Sequence, residues 1–168
     1  MGFTVEDMLT ISRDRYRMEL VAGNRGWANS ISWLLMVEDT TIIRRFAGKE
    51  LVVTTGLGFD TEERLLYLIE MLDNYHAAGL VVNTGPYIHE IPETARELAD
   101  QVDLPLMTVP WDVSMSDMIK DLTVRIFMQS QMDNNYHGPL SVPLNVRKWK
   151  APIGRSWPRL LMWTASFR

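Results

Sequence analysis

The sequence contains no cysteine, which excludes disulfide bonds, thiolate metal sites and cysteine nucleophiles. It also lacks any run of the roughly 18 apolar residues that a membrane-spanning helix needs. Residues 1–7 include acids and no apolar run, so they do not resemble a secretory signal peptide. These absences predict a cytoplasmic location and no membrane partner. The 46% apolar content nevertheless predicts a globular domain with a real core.

Residue patterns typical of catalysis and metal binding are missing as well. His76, His89 and His137 are not spaced as ligands of a recognised metal site, and no serine lies in a Gly-x-Ser-x-Gly turn. The run 56–58 (Gly-Leu-Gly) lacks the third glycine and the lysine of phosphate-binding loops. Acids at positions 60, 62 and 63 already occupy the positive end of the next helix. We therefore predict no enzyme, no catalytic residue, no metal site and no cofactor.

Acidic residues are absent after Asp133. All 21 acids lie at or before Asp133, whereas residues 139–168 carry six Lys and Arg. This segment is also rich in tryptophan and shows no helical or strand period. We therefore predict a folded domain at residues 1–133 and a basic, tryptophan-rich tail without a predicted fold at 134–168. Contact with nucleic acid or a membrane surface would explain such a tail less well than a truncated or out-of-frame carboxyl end, because unpatterned tryptophans cannot build a core.

A short apolar strand followed by a polar loop with glycine occurs twice. Residues 51–56 read Leu-Val-Val-Thr-Thr-Gly and residues 80–85 read Leu-Val-Val-Asn-Thr-Gly, with one long helical pattern between them. Two such strands joined by a helix predict a βαβ unit, and ligands of open α/β sheets bind beyond the carboxyl ends of the strands. The predicted ligand-binding residues are Glu38, Thr54, Thr55, Gly56, Asn83, Thr84, Gly85 and His89.

Strand and helix patterns alternate along residues 1–133. This alternation predicts an α/β fold: a mostly parallel sheet with helices on both faces, followed by an irregular carboxyl-terminal tail. The first helix is expected to end near Ile11, and Thr40 or Thr41 to cap a short helix. The prolines of segment 104–110 favour strand ends or an edge strand. The residues expected to be fully buried are Leu51, Val53, Leu68, Leu72, Val81, Leu98 and Leu106.

Six segments occur in an order that resembles a known family. They are Leu20-Val21-Ala22-Gly23 with Gly26, Val37-Glu38-Asp39, residues 48–56, Ile91-Pro92, Ala99-Asp100, and Leu104-Pro105-Leu106 with Val109-Pro110. Together they resemble the amino-terminal regulatory domain of PucR-like (purine catabolism regulator) bacterial transcription regulators, over about residues 5–130. The resemblance implies a regulatory domain that has no catalytic activity and senses a small-molecule effector. It further implies a homodimer, and DNA binding only through a helix-turn-helix segment absent from this chain.

Three functions are compatible with these patterns. The first is a sensor domain of a PucR-like regulator that binds a small metabolite at the strand ends. The second is a dimerisation or protein-docking module with no ligand, which would use the amphipathic final helix. The third and weakest is a small α/β enzyme, which requires a convergent acid–base pair in a cleft.

Overall fold

The computed structural model describes residues 2–135, with side chains up to residue 132. The predicted tail at 134–168 therefore lies almost wholly outside the described residues, and its boundary stays a prediction. The helices are α1 (Val5–Tyr16), α2 (Glu62–Asn74), α3 (Glu93–Gln101) and α4 (Met115–Asn135). The strands are β1 (Glu19–Ala22), β2 (Trp33–Met36), β3 (Glu50–Thr54), β4 (Gly79–Thr84) and β5 (Leu106–Pro110), and short 3-10 helices span Asn24–Ala28 and Thr40–Arg45.

The five strands form one sheet in the order β1-β5-β4-β3-β2. Strands β2 to β5 are parallel, while β1 pairs with β5 in antiparallel orientation at one edge. The expectation of a mostly parallel α/β sheet is confirmed. Strand β5 is an interior strand, and its prolines are tolerated because Pro105 precedes it and Pro110 is its last residue.

Helices cover both faces of the sheet, as predicted. Side chains of β3 alternate between two cores: Val52 faces α2 and α3, whereas Leu51 and Val53 face α1 and α4. Six of the seven predicted core residues are inaccessible to solvent. Leu98 is only partly buried at the margin of the α2–α3 core, so its assignment as fully buried was wrong. Ala95 and Ala99 form the fully buried contact of α3 instead.

Helix α1 extends to Tyr16, so the expected end near Ile11 was wrong. Its start is as predicted, because Thr4 and Asp7 form a reciprocal capping box. Arg13, Asp14 and Arg15 lie on its exposed face, while Ser12 and Tyr16 are buried, so the last turns continue the amphipathic helix. No helix in the described part of the chain is long and apolar enough to cross a membrane.

Candidate functional site at the carboxyl edge of the sheet

The loops that follow β3 and β4 lie side by side at one edge of the sheet. These strands are direct neighbours, with Val53 opposite Val81 and Thr54 opposite Val82. The βαβ unit that the repeated sequence predicted is therefore confirmed. Seven of the eight predicted ligand-binding residues lie at the ends of β3 and β4 or in the loops that follow them, and Glu38 follows the neighbouring strand β2.

Glu38 holds the start of the loop after β3. The Thr54 hydroxyl donates to Glu38 Oε2 at 2.9 Å, and the Thr55 amide and hydroxyl both donate to Oε1, at 2.6 and 2.7 Å. The Gly56 amide in turn donates to Thr54 Oγ1 at 3.0 Å. Four of the predicted residues are therefore brought together, but their polar groups bind one another.

The residue after Glu38 has a separate, structural role. Asp39 caps the 3-10 helix Thr40–Arg45 by accepting a hydrogen bond from the Thr41 amide at 2.7 Å. Hydrogen bonding from Thr41 lowers the pKa of the Asp39 carboxyl below its ordinary value. Asp39, and not Thr40 or Thr41, is therefore the cap of this helix, since its carboxylate reaches the Thr41 amide.

Asn83 and Thr84 bond to the end of β5 rather than to Glu38. The Asn83 side-chain amide donates to the carbonyls of Val109 and Pro110, at 3.1 and 2.9 Å. The Thr84 hydroxyl donates to the Val109 carbonyl at 3.4 Å. Asn83 is only 2% exposed. These side chains therefore join β4 to β5, and the structure does not bring them together with the Glu38 cluster.

Two glycines let the loops approach each other closely. Gly56 has a φ of +85°, and a Cβ there would lie 2.7 Å from the Ile88 side chain of the next loop. At Gly85, a Cβ would lie 2.5 Å from the Trp111 ring after β5. The loops after β3, β4 and β5 thus contact one another in sequence along the edge of the sheet.

A cleft of about 320 Å³ opens between the loops that lead from β3 into α2 and from β4 into α3. Its lining residues are Phe59, Asp60, Thr61, Glu62, Leu65, Tyr87, Ile88, His89, Glu90 and Pro92. His89 is the only one of the predicted ligand-binding residues that lines it. The other seven predicted residues do not line it. Tyr87 was not among the predicted residues, although an aromatic residue near His89 in a strand-end loop was a usable signal.

The carboxylates of the cleft are partly paired with groups around it. Asp60 lies 2.8 Å from the Arg64 guanidinium, and Glu90 lies 3.5 Å from that of Arg96. Glu62 accepts a hydrogen bond from the Thr94 hydroxyl at 2.6 Å, which links the first turns of α2 and α3. The cleft therefore presents mainly hydrogen-bond acceptors. Among the described residues, no group of three or more His, Asp or Glu is placed to hold a metal ion.

Comparison with known proteins assigns this domain to a class of regulators. Residues 7–126 match the model of the purine catabolism regulatory protein-like family, PucR. The chain therefore belongs to this family of transcription regulators, which confirms the resemblance seen in the sequence. It is also similar to the purine catabolism regulatory protein of Bacillus subtilis (strain 168), with 29% identity over 101 residues. The match covers 60% of this chain and only 19% of that relative's length.

Proposed function

We propose that this chain is the metabolite-sensing domain of a PucR-like transcription regulator and has no catalytic activity of its own. The observation that carries the proposal is the open cleft at the carboxyl edge of the sheet, where α/β domains bind ligands. The name of the Bacillus relative points to metabolites of purine breakdown as effectors. DNA binding would then reside in a part of the regulator outside this chain, and the protein would act in the cytoplasm.

A thermal-shift screen of purines and their breakdown products tests this proposal. A ligand present at 100 times its Kd, and bound only by the folded state, stabilises that state by about 2.7 kcal/mol. We expect such a ligand to raise the melting temperature by roughly 5 °C or more. Absence of a shift with every metabolite would contradict the sensing function.

A pair of histidine variants tests where that ligand binds. His89→Asn should remove most of the shift, because His89 lines the cleft. The matched control is His76→Asn, at the opposite edge of the sheet, where asparagine tolerates the positive φ of 54°. A shift that survives His89→Asn undiminished, or is lost equally in both variants, would place the ligand elsewhere.

We propose a homodimer contact through α4 as a second candidate function, and a separate observation favours it. The inner side of α4 is buried through Met118, Leu122 and Ile126. Large apolar side chains also lie on its outer side, each 48–61% exposed: Val124, Phe127, Met128 and Met132. A helix that is apolar on two sides needs a second partner to cover the outer side.

Light scattering on the purified chain tests the α4 contact. We expect a dimer that Phe127→Glu converts to a monomer, since a carboxylate cannot be buried unpaired in an apolar interface. The control Tyr67→Glu alters an equally exposed aromatic residue on α2 and should leave the dimer intact. A monomeric parent chain at working concentration would refute the contact.

A further inference from the structure

The Tyr87 ring forms an aromatic wall of the cleft and is held in place from behind. It is 39% exposed and packs against the Trp111 ring at 6.0 Å between centroids and 75° between planes. Trp111 itself lies so close over Gly85 that a side chain there would strike its ring. An edge-to-face contact occupies at most one face of the Tyr87 ring. Because Tyr87 lines the cleft and keeps 39% of its surface exposed, it offers ring surface to a flat molecule there.

The carboxylates that line the cleft disfavour an anionic ligand. Asp60, Glu62 and Glu90 contribute three carboxylates to its lining, while Arg64 and Arg96, which pair with two of them, are not lining residues. The negative charge of a phosphate or carboxylate in the cleft would be repelled by these oxygens at short range. The first turn of α2 offers no compensation, because Glu62 and Glu63 already complement its dipole.

The same carboxylates favour a ligand that donates hydrogen bonds. An ionised carboxylate only accepts, so a group that binds it must carry N–H or O–H. The volume of about 320 Å³ lies near the lower end of the range for small-molecule sites, which suits a small ring system better than a nucleotide.

We infer that the cleft takes a small planar heterocycle that is uncharged or cationic, carries N–H donors and stacks on the Tyr87 ring. This inference rests on the proposed sensing function and names the chemical class of its ligand. Tyr87 provides the stacking surface, Trp111 positions that surface, and the carboxylates of Glu62 and Glu90 receive the N–H groups.

Three probe compounds separate the parts of the inference, each titrated into the full chain by calorimetry and thermal shift. Adenine is planar, uncharged and rich in N–H groups. Adenosine monophosphate carries the same ring with a charged phosphate, and allantoin carries N–H groups without an aromatic ring. We expect adenine to bind, and we expect the other two to bind at least tenfold more weakly.

Variants of Tyr87 test the stacking contact directly. Tyr87→Ala should weaken adenine binding about tenfold, which corresponds to about 1.4 kcal/mol and lies within the range for stacking of a base on an aromatic side chain. Tyr87→Phe keeps the ring and should stay within about twofold of the parent. The control Tyr67→Ala removes an exposed tyrosine that does not line the cleft and should have no effect. If Tyr87→Ala fails to fold, Tyr87→Leu removes the ring with less loss of apolar volume.

The outcomes distinguish failure of this inference from failure of the sensing function. Binding of allantoin in preference to adenine would leave the sensing function standing and overturn the planar ligand class. Binding of adenosine monophosphate as tightly as adenine would overturn the exclusion of anions. Adenine binding that Tyr87→Ala and Tyr87→Leu leave unchanged would overturn the stacking contact. If neither these probes nor any metabolite of the wider screen binds, both proposals fail.

Discussion

The loops after β3 and β4 have nearly the same sequence but different bonding partners. In the first loop, Thr54 and Thr55 donate to a carboxylate, that of Glu38. In the second, Asn83 and Thr84 donate to backbone carbonyls at the end of β5. A repeated strand sequence therefore predicts repeated strands, but the neighbouring strand decides what each loop's polar residues bind.

This difference follows from the order of the strands. Strand β3 lies between β4 and β2, so the residues at its end contact Glu38, which follows β2. Strand β4 lies between β3 and β5, and its loop meets the carboxyl end of β5. The hydrogen-bond acceptor of the first loop is thus one side chain. The acceptors of the second loop are main-chain carbonyls, which no substitution can remove.

The largest expected effect comes from removing the carboxylate of the first loop. Glu38→Ala leaves the Thr54 hydroxyl, which is inaccessible to solvent, without its acceptor. It also removes two bonds from Thr55. Hydrogen bonds to charged groups contribute about 1.5–3 kcal/mol each in net terms, and they are not additive. We expect the free energy of unfolding to fall by about 3 kcal/mol, measured by urea denaturation.

The matched change in the second loop is Asn83→Ala. It removes a neutral donor and leaves the carbonyls of Val109 and Pro110 with less hydrogen bonding, so we expect a loss of about 1–2 kcal/mol. A loss from Asn83→Ala as large as that from Glu38→Ala would show that the charge of the acceptor does not distinguish the two loops.

Glycine substitutions in the two loops sharpen the same comparison. Gly56→Ala places a side chain at a φ of +85° and against the buried Ile88, so we expect a loss of about 2 kcal/mol. Gly85→Ala forces a shift of the Trp111 ring but adds no strain from a positive φ, so we expect a smaller loss of about 1 kcal/mol. Thermal unfolding of both variants checks this order. The reverse order would mean that the Trp111 ring is held more firmly than Ile88.

The sequence predicted the strands and helices of this region well, because their signals are local. The apolar runs of β3 and β4 and the helical spacing of α2 are all read from consecutive residues. The register between β3 and β4 could not be predicted from these local signals. The repeat aligns Thr54 with Asn83, but the sheet pairs Thr54 with Val82, one residue earlier. Register depends on how α2 and its loops pack, and no pair of similar segments encodes it.

The candidate site was predictable only in its position at the sheet edge. The rule that ligands bind beyond parallel strand ends led to the loops between which the cleft opens. It also favoured the polar residues at the strand ends, whose donors already form hydrogen bonds within the protein. The cleft is instead lined by residues further along the loops, such as Tyr87, and by the first turn of α2. Their convergence depends on the packing of α2 beside α3, which no single segment reveals.

The smallest expected effect concerns another carboxylate–hydroxyl contact, which lies between α1 and α4. The Tyr16 hydroxyl donates to Asp121 Oδ2 at 3.0 Å, which joins α1 to α4, and Arg125 pairs with Oδ1 at 3.2 Å. Burial alone would raise the pKa of Asp121, but hydrogen bonds from Arg125 and Tyr16 and the charges of Arg125 and Arg15 together lower it below its ordinary value. Burial and the contact with Asp121 raise the pKa of Tyr16, which therefore keeps its proton.

Asp121→Asn should therefore lower the free energy of unfolding at pH 7 by about 1 kcal/mol or less, since this carboxylate remains partly exposed and screened by water. Because its pKa is lower in the folded than in the unfolded chain, the stabilisation is fully present above the unfolded value of about 3.9. It is lost as the pH falls through the folded value. Urea denaturation of both proteins between pH 7 and pH 3 should thus show their difference shrinking below about pH 4. Asp14→Asn, at an exposed position of α1, is the control and should change stability little at any pH. A difference for Asp121→Asn that equals the one for Glu38→Ala would mean that burial does not set the strength of these contacts.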